Sequence, residues 1–292
     1  MEIDGLQLPE DYVRLQFEDG HYIGQVADDG RTFEGRGMYM WDNEDAYMGE
    51  FKGGVPHGQG RFVWANGEVY VGEFREGYLS GKGRFDWTDQ RVYEGEFLNG
   101  VLCGKGRMAW PFGVVFEGDF ADGKPIGRGR MAWANEGDDG FSGFDALAKE
   151  YADGFYVGEV NQDSMEHGNG LFFYSSGNFY MGEFRNGRFN GRGVYIWADG
   201  RIYTGDFIDD SMSGQGEMKW PSGDRYEGDF INGTPVGKGK MYWPNGDHYE
   251  GDFVKGTMEG QGIYYSKDGS IVYDGAWMQG CAVHSDDKRL TE

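Results

Sequence analysis

The chain has 292 residues, of which 54 are glycine and 17% are aromatic, and its formal net charge is −23. Disordered chains share the glycine but lack the rings, and collagen is excluded because glycine does not recur every third residue and there are only seven prolines. Such a charge opposes nucleic acid and anionic lipid headgroups and favours a basic partner. Cys103 and Cys281 are too few for a disulfide framework or a thiolate metal site, so two reduced thiols in a cytoplasmic protein are expected.

Residues 1–20 open the chain with an acidic stretch that has no apolar run of the signal-peptide kind, and no segment approaches a membrane span. Within them, residues 12–20 read as the second half of a repeat whose first half is missing, making 1–20 a cap and half-repeat. From Tyr22 onward the chain is self-similar. "VYVGEF" at 69–74 returns as "VYEGEF" at 92–97, "VFEGDF" at 115–120 and again beyond. The leading ring recurs at 22, 47, 70, 93, 116, 156, 180, 203, 226, 249 and 273, with a basic spacing of 23 residues.

Each unit reads Y-x-G-[E/D]-F, a turn, then G-x-G-x-[M/F/Y]-x-W, as in "GQGRFVW" at 58–64 and "GKGRMAW" at 104–110. Both halves alternate with period two, the mark of strands, and glycine-bearing turns such as Asn99-Gly100 separate them. Each unit is therefore a β-hairpin and the series a meander. An antiparallel register with Phe74 opposite Gly81 pairs Tyr70 with Phe85 and Glu73 with Lys82. The same offset pairs Glu96 with Lys105, Asp119 with Arg128, Glu183 with Arg192, and Asp229 with Lys238. Parity then makes one face aromatic and glycine, with glycines as seats for rings, and the other face charged.

The repeats fall into 21–135 (one to five) and 154–272 (six to ten), with a terminal half-repeat and tail at 273–292. Between the two sets, 136–153 is an insertion. Its "FDALAKEY" (144–151) carries good helix formers, with Ser142 as N-cap, so a short helix is predicted. That helix would place Phe144, Leu147, Ala148 and Tyr151 on one face, either as a plain surface excursion or as a partner-docking or groove-covering element with Phe144, Leu147 and Tyr151 as its contacts.

These units closely resemble the MORN-repeat family (membrane occupation and recognition nexus), whose pattern runs over residues 22–280. The resemblance implies an all-β, elongated, single-layer antiparallel meander, curved and twisted, with an aromatic groove. It also implies a scaffold role in radial spokes and other axonemal complexes of cilia and flagella, or at cytoskeletal collars and membrane junctions.

No histidine joins an HExxH, a Cys/His cluster or a triad, and "GKGRMAW" lacks the lysine-serine pair of a phosphate loop, so no enzyme activity, catalytic residue, metal or cofactor is expected. The expected site is the groove. Its first five repeats contribute Tyr47, Phe51, Trp64, Tyr70, Phe74, Trp87, Tyr93, Phe97, Trp110, Phe116, Phe120 and Trp133. The later repeats contribute Tyr180, Phe184, Trp197, Tyr203, Phe207, Trp220, Tyr226, Phe230, Trp243, Tyr249 and Phe253. The expected partner is an amphipathic, basic helix or extended segment within a large cytoskeletal assembly, and unpaired sheet ends also permit end-to-end self-association. The alternatives are a membrane-apposed phospholipid adaptor, which liposome flotation would detect, and a targeting subunit for a separate enzyme.

Overall fold

The computed structural model describes residues 2–3, 6–7, 11–133 and 143–283. Its contacts divide the chain into two compact units, Met1–Ala148 and Lys149–Glu292, and the boundary falls inside the strand Phe144–Tyr151. In the first unit, Val13–Phe17 and the strands that follow pair antiparallel with their chain neighbours through Lys124–Trp133. The second unit repeats this from Gly154–Val160 through Cys281–Ala282. The meander of hairpins is thus present in both.

One hairpin explains the rest. Val69–Arg75 pairs with Tyr78–Asp86, placing Tyr70 opposite Phe85 and Gly72 opposite Gly83. The Tyr70 ring lies flat over Gly83, where a Cβ would sit inside the ring, and the side chain is fully buried. Its hydroxyl donates to the Glu73 carbonyl at 2.9 Å. Nine other tyrosines, from Tyr22 to Tyr273, make the same bond to the carbonyl three residues on. A buried phenol without such an acceptor would forfeit about 1–3 kcal/mol of what burial of its ring returns.

Past Gly72 the register departs from the expected one. A bulge skips Gly81 and Lys82, so Glu73 faces Ser80 and Phe74 faces Leu79. Gly81 takes φ +60°, a left-handed value natural to glycine, and the Glu73 carboxylate accepts the Lys82 amide at 3.0 Å. The same bulge puts Glu96 opposite Cys103, Asp119 opposite Ile126 and Asp229 opposite Val236, and takes Glu183 out of the ladder. None of the five expected within-hairpin pairs is therefore a cross-strand pair. The cations face the next repeat instead: Lys82 lies opposite Glu96, and Lys105–Asp119, Arg192–Asp206 and Lys238–Asp252 close at 2.7, 3.1 and 2.6 Å.

The predicted helix at 144–151 is a strand, Phe144–Tyr151. Phe144-Asp145-Ala146-Leu147-Ala148 pairs with Met131 to Gly127 in the register that Phe116 to Phe120 adopts against Met108 to Gly104. The segment is a degenerate Y-x-G-[E/D]-F. Its alternation suits the ladder, because Ala146 and Ala148 are small enough to be buried opposite Gly129 and Gly127. Ladder hydrogen bonds and burial at period two outweigh helix propensities of a few tenths of a kcal/mol per residue. Phe144 lies opposite Met131 while Leu147 lies opposite Arg128, so the single helical face does not form. Ser142, the expected cap, lies outside the described residues.

The two units also begin alike. Val13–Phe17, a Glu18-Asp19 turn and Gly20–Val26 correspond to a strand ending at Tyr151, an Ala152-Asp153 turn and Gly154–Val160. Each opening repeat ends in valine, Val26 or Val160, where most others have phenylalanine. Part of the apparent insertion is thus the opening strand of a second array.

Candidate partner-binding surface

The aromatic face has two depths. At the bottom lie the leading tyrosines and the phenylalanines that close each Y-x-G-[E/D]-F. Tyr47, Tyr70, Tyr93, Phe116, Tyr180, Tyr203, Tyr226 and Tyr249 are 0–1% exposed, and Phe51, Phe74, Phe97, Phe120, Phe184, Phe207, Phe230 and Phe253 are 2–5% exposed. Their rings meet edge to face from repeat to repeat, as in Tyr47–Phe74 at 4.8 Å and Tyr226–Phe253 at 4.8 Å. They form the core of each unit.

Above them run the tryptophans. Trp64, Trp87, Trp197, Trp220 and Trp243 are half-buried, while Trp110 is buried at 6% exposure and the side chain of Trp133 lies outside the described ones. Between the tryptophans stand further rings that are not among the expected groove residues. In the first unit a row runs Trp41, Phe62, Trp64, Phe85, Trp87 with successive centroids at 5.4, 4.5, 5.1 and 4.5 Å. In the second, Phe172, Tyr174, Tyr195 and Trp197 follow at 4.5, 6.2 and 4.6 Å. The signal for these extra rings was in the repeat: the [M/F/Y] position lies two residues before tryptophan, hence on the same face. Of the expected docking contacts at 144–151, Tyr151 packs on Phe172 at 5.5 Å and its hydroxyl donates to Glu166. Glu166 also holds Lys149 at 2.5 Å, and these hydrogen bonds keep its carboxyl below the usual range against burial, which raises it.

The other face carries ladders of opposite charge. Arg84 reaches Asp86 and Glu94, Arg107 reaches Glu117 at 3.3 Å, and Arg225 bonds both Glu217 and Glu227. Among the described residues, no three His, Cys, Asp or Glu side chains group as metal ligands would. No helix among the described residues is long and apolar enough to cross a membrane. His248 is stacked between Tyr242 and Tyr265 at 5.5 and 4.5 Å, and burial raises the Cys103 thiol. The geometry offers aromatic surface and arranged charge.

The MORN repeat family model matches nine tandem segments: 47–69, 70–90, 93–113, 116–137, 156–179, 180–200, 203–225, 226–248 and 249–271. The chain belongs to the MORN-repeat family. It is a repeat scaffold of the kind that mediates protein or membrane contacts, in a family that is generally non-enzymatic. The first and last hairpins, led by Tyr22 and Tyr273, lie outside the matched segments but keep the tyrosine bond. The comparison with curated proteins finds no match. Among solved structures, the TCP10 domain of Danio rerio CPAP in complex with a peptide of STIL is 10% identical, with 88% of this chain and 99% of that chain covered at a TM-score of 0.26. BamB from Moraxella catarrhalis is 9% identical over 91% and 94% of the two chains at a TM-score of 0.20. Likeness at this level carries nothing further.

Proposed function

We propose that this MORN-repeat protein is a non-enzymatic scaffold whose half-buried aromatic row holds an amphipathic, basic segment of a partner, helical or extended. The observation that carries this is the unbroken row Trp41–Phe62–Trp64–Phe85–Trp87, with centroids no more than 5.4 Å apart. The tyrosines beneath are spent on the core, so the tryptophans and their neighbouring rings supply the surface. A continuous apolar strip on an acidic protein suits a segment with apolar residues along one side and cations along its flanks. Family resemblance supports a setting in a cytoskeletal assembly, axonemal and radial-spoke-like.

The test compares the full chain with a Trp64→Ala/Trp87→Ala variant in cross-linking mass spectrometry on extracts of ciliated cells. Support requires cross-links between the row and one axonemal protein, lost in the variant at unchanged circular dichroism. A partner retained in full by the variant would place the site elsewhere. Strong flotation with anionic liposomes would favour the phospholipid adaptor.

A further inference from the structure

Eight turns that join the two strands of a hairpin carry glycine at their second position: Gly54, Gly77, Gly100, Gly123, Gly187, Gly233, Gly256 and Gly280, with φ between +78° and +87°. One turn does not. Asp209-Asp210 stands there instead, and Asp210 holds φ +69°. A side chain in the left-handed region is strained, and an aspartate kept where glycine is the rule asks for a reason. Asp210 Oδ1 accepts the Phe189 amide at 2.8 Å, and the residue is otherwise exposed to solvent.

Asp210 stands at the wall of a cavity of about 410 Å³ whose other walls include Tyr174, Phe189, Tyr195, Trp197 and Met212. Phe189 is fixed by stacking on Tyr180 at 3.8 Å. Tyr174 and Tyr195 bring hydroxyls as well as rings. Burial raises the Tyr174 phenol, and the carboxylates of Asp153 and Asp210 add negative field around it. The Trp197 ring already draws one guanidinium, that of Arg201, to 4.8 Å from its centroid.

We infer that this cavity is a specific seat for one cationic side chain, an arginine or lysine, of the bound partner segment. Aromatic side chains and a carboxylate line it together, and both attract a cation more than a neutral group of the same shape. The inference rests on the groove reading above and sharpens it: apolar contacts along the row would hold the segment, and this seat would fix its register.

The probe is N-acetyl-arginine amide, titrated into the full chain with Trp197 indole and tyrosine ring signals followed by NMR. Its neutral isostere N-acetyl-citrulline amide is titrated alongside. The expected result is saturable millimolar binding of the arginine probe, at least fivefold tighter than citrulline at low salt. Asp210→Asn keeps the acceptor for the Phe189 amide and removes the charge, and Asp210→Gly restores the residue usual at this turn. Both are expected to lose that preference, and Asp210→Gly is expected to melt no lower than the parent chain. Thr204→Ala, at an exposed position opposite Glu217 on the charged face, should leave arginine binding unchanged. Equal binding of the two probes, no saturable binding, or an arginine preference that survives both Asp210 changes would overturn the seat. The groove reading is judged separately by the Trp64/Trp87 comparison, which lies in the other unit.

Discussion

A single hydroxyl separates the leading tyrosines from Phe116. Ten tyrosines donate to the carbonyl three residues on; Phe116 fills the same buried place and has nothing to donate. Its bulge, with Asp119 opposite Ile126, otherwise follows the common form. Phe116→Tyr is therefore expected to stabilise the chain by about 1 kcal/mol, the net worth of a buried hydrogen bond. Urea unfolding should show a higher midpoint at an unchanged slope. Burial also makes the phenols hard to ionise: Tyr93, Tyr203 and Tyr249 are pushed up to about 12. In the unfolded chain they ionise near 10, so the stability they lend is complete below pH 10 and drains away between pH 10 and 12. Each tenfold step in alkalinity across that window costs about 1.4 kcal/mol for each such tyrosine. A cooperative alkaline transition, with tyrosinate absorbance rising together with loss of the β signal, is the expected outcome. Phenols that titrate near pH 10 with the fold intact would contradict it.

At the scale of the hairpin, much was legible in the sequence and some was not. Period two in both half-repeats gave the strands, and "GKGRFDW" after "VYVGEF" placed Tyr70 opposite Phe85. What periodicity could not give was the bulge. Gly81 signals a left-handed residue only once the ladder on both sides of it is known, and without it Glu73 falls opposite Lys82. Charge complementarity was real but belonged to the next interface, because the cation skipped within its own hairpin meets the acid of the following repeat. The helix at 144–151 was misread because alanine, lysine and glutamate are good helix formers, whereas Ala146 in place of the motif glycine hid the repeat. That register makes its own prediction. Leu147 occupies the position that Asp119 holds opposite Lys105, and it lies opposite an exposed Arg128. Leu147→Glu should supply the missing cross-strand pair and add a few tenths of a kcal/mol, diminishing in salt. A loss of more than about 1 kcal/mol would mean that Leu147 is packed rather than misplaced.

Across the whole chain, charge acts on folding and on binding in opposite directions. A net charge of −23 repels itself in the folded state, and many of the cations that could offset it are already paired on the sheet face away from the aromatic row. The surplus acid is left to attract a basic segment. Added salt shortens the screening length from about 30 Å at 0.01 M to about 10 Å at 0.1 M, and so weakens both effects. The melting temperature is therefore expected to rise with sodium chloride, while affinity for a basic amphipathic peptide falls over the same range. An electrically neutral peptide with the same apolar face should lose little affinity, since burial against tryptophan does not depend on screening at these concentrations. Calorimetry of the chain alone and titration with the two peptides at matched salt check both signs. If the two peptides respond alike to salt, the aromatic row alone accounts for recognition and the acidity of the chain serves its solubility.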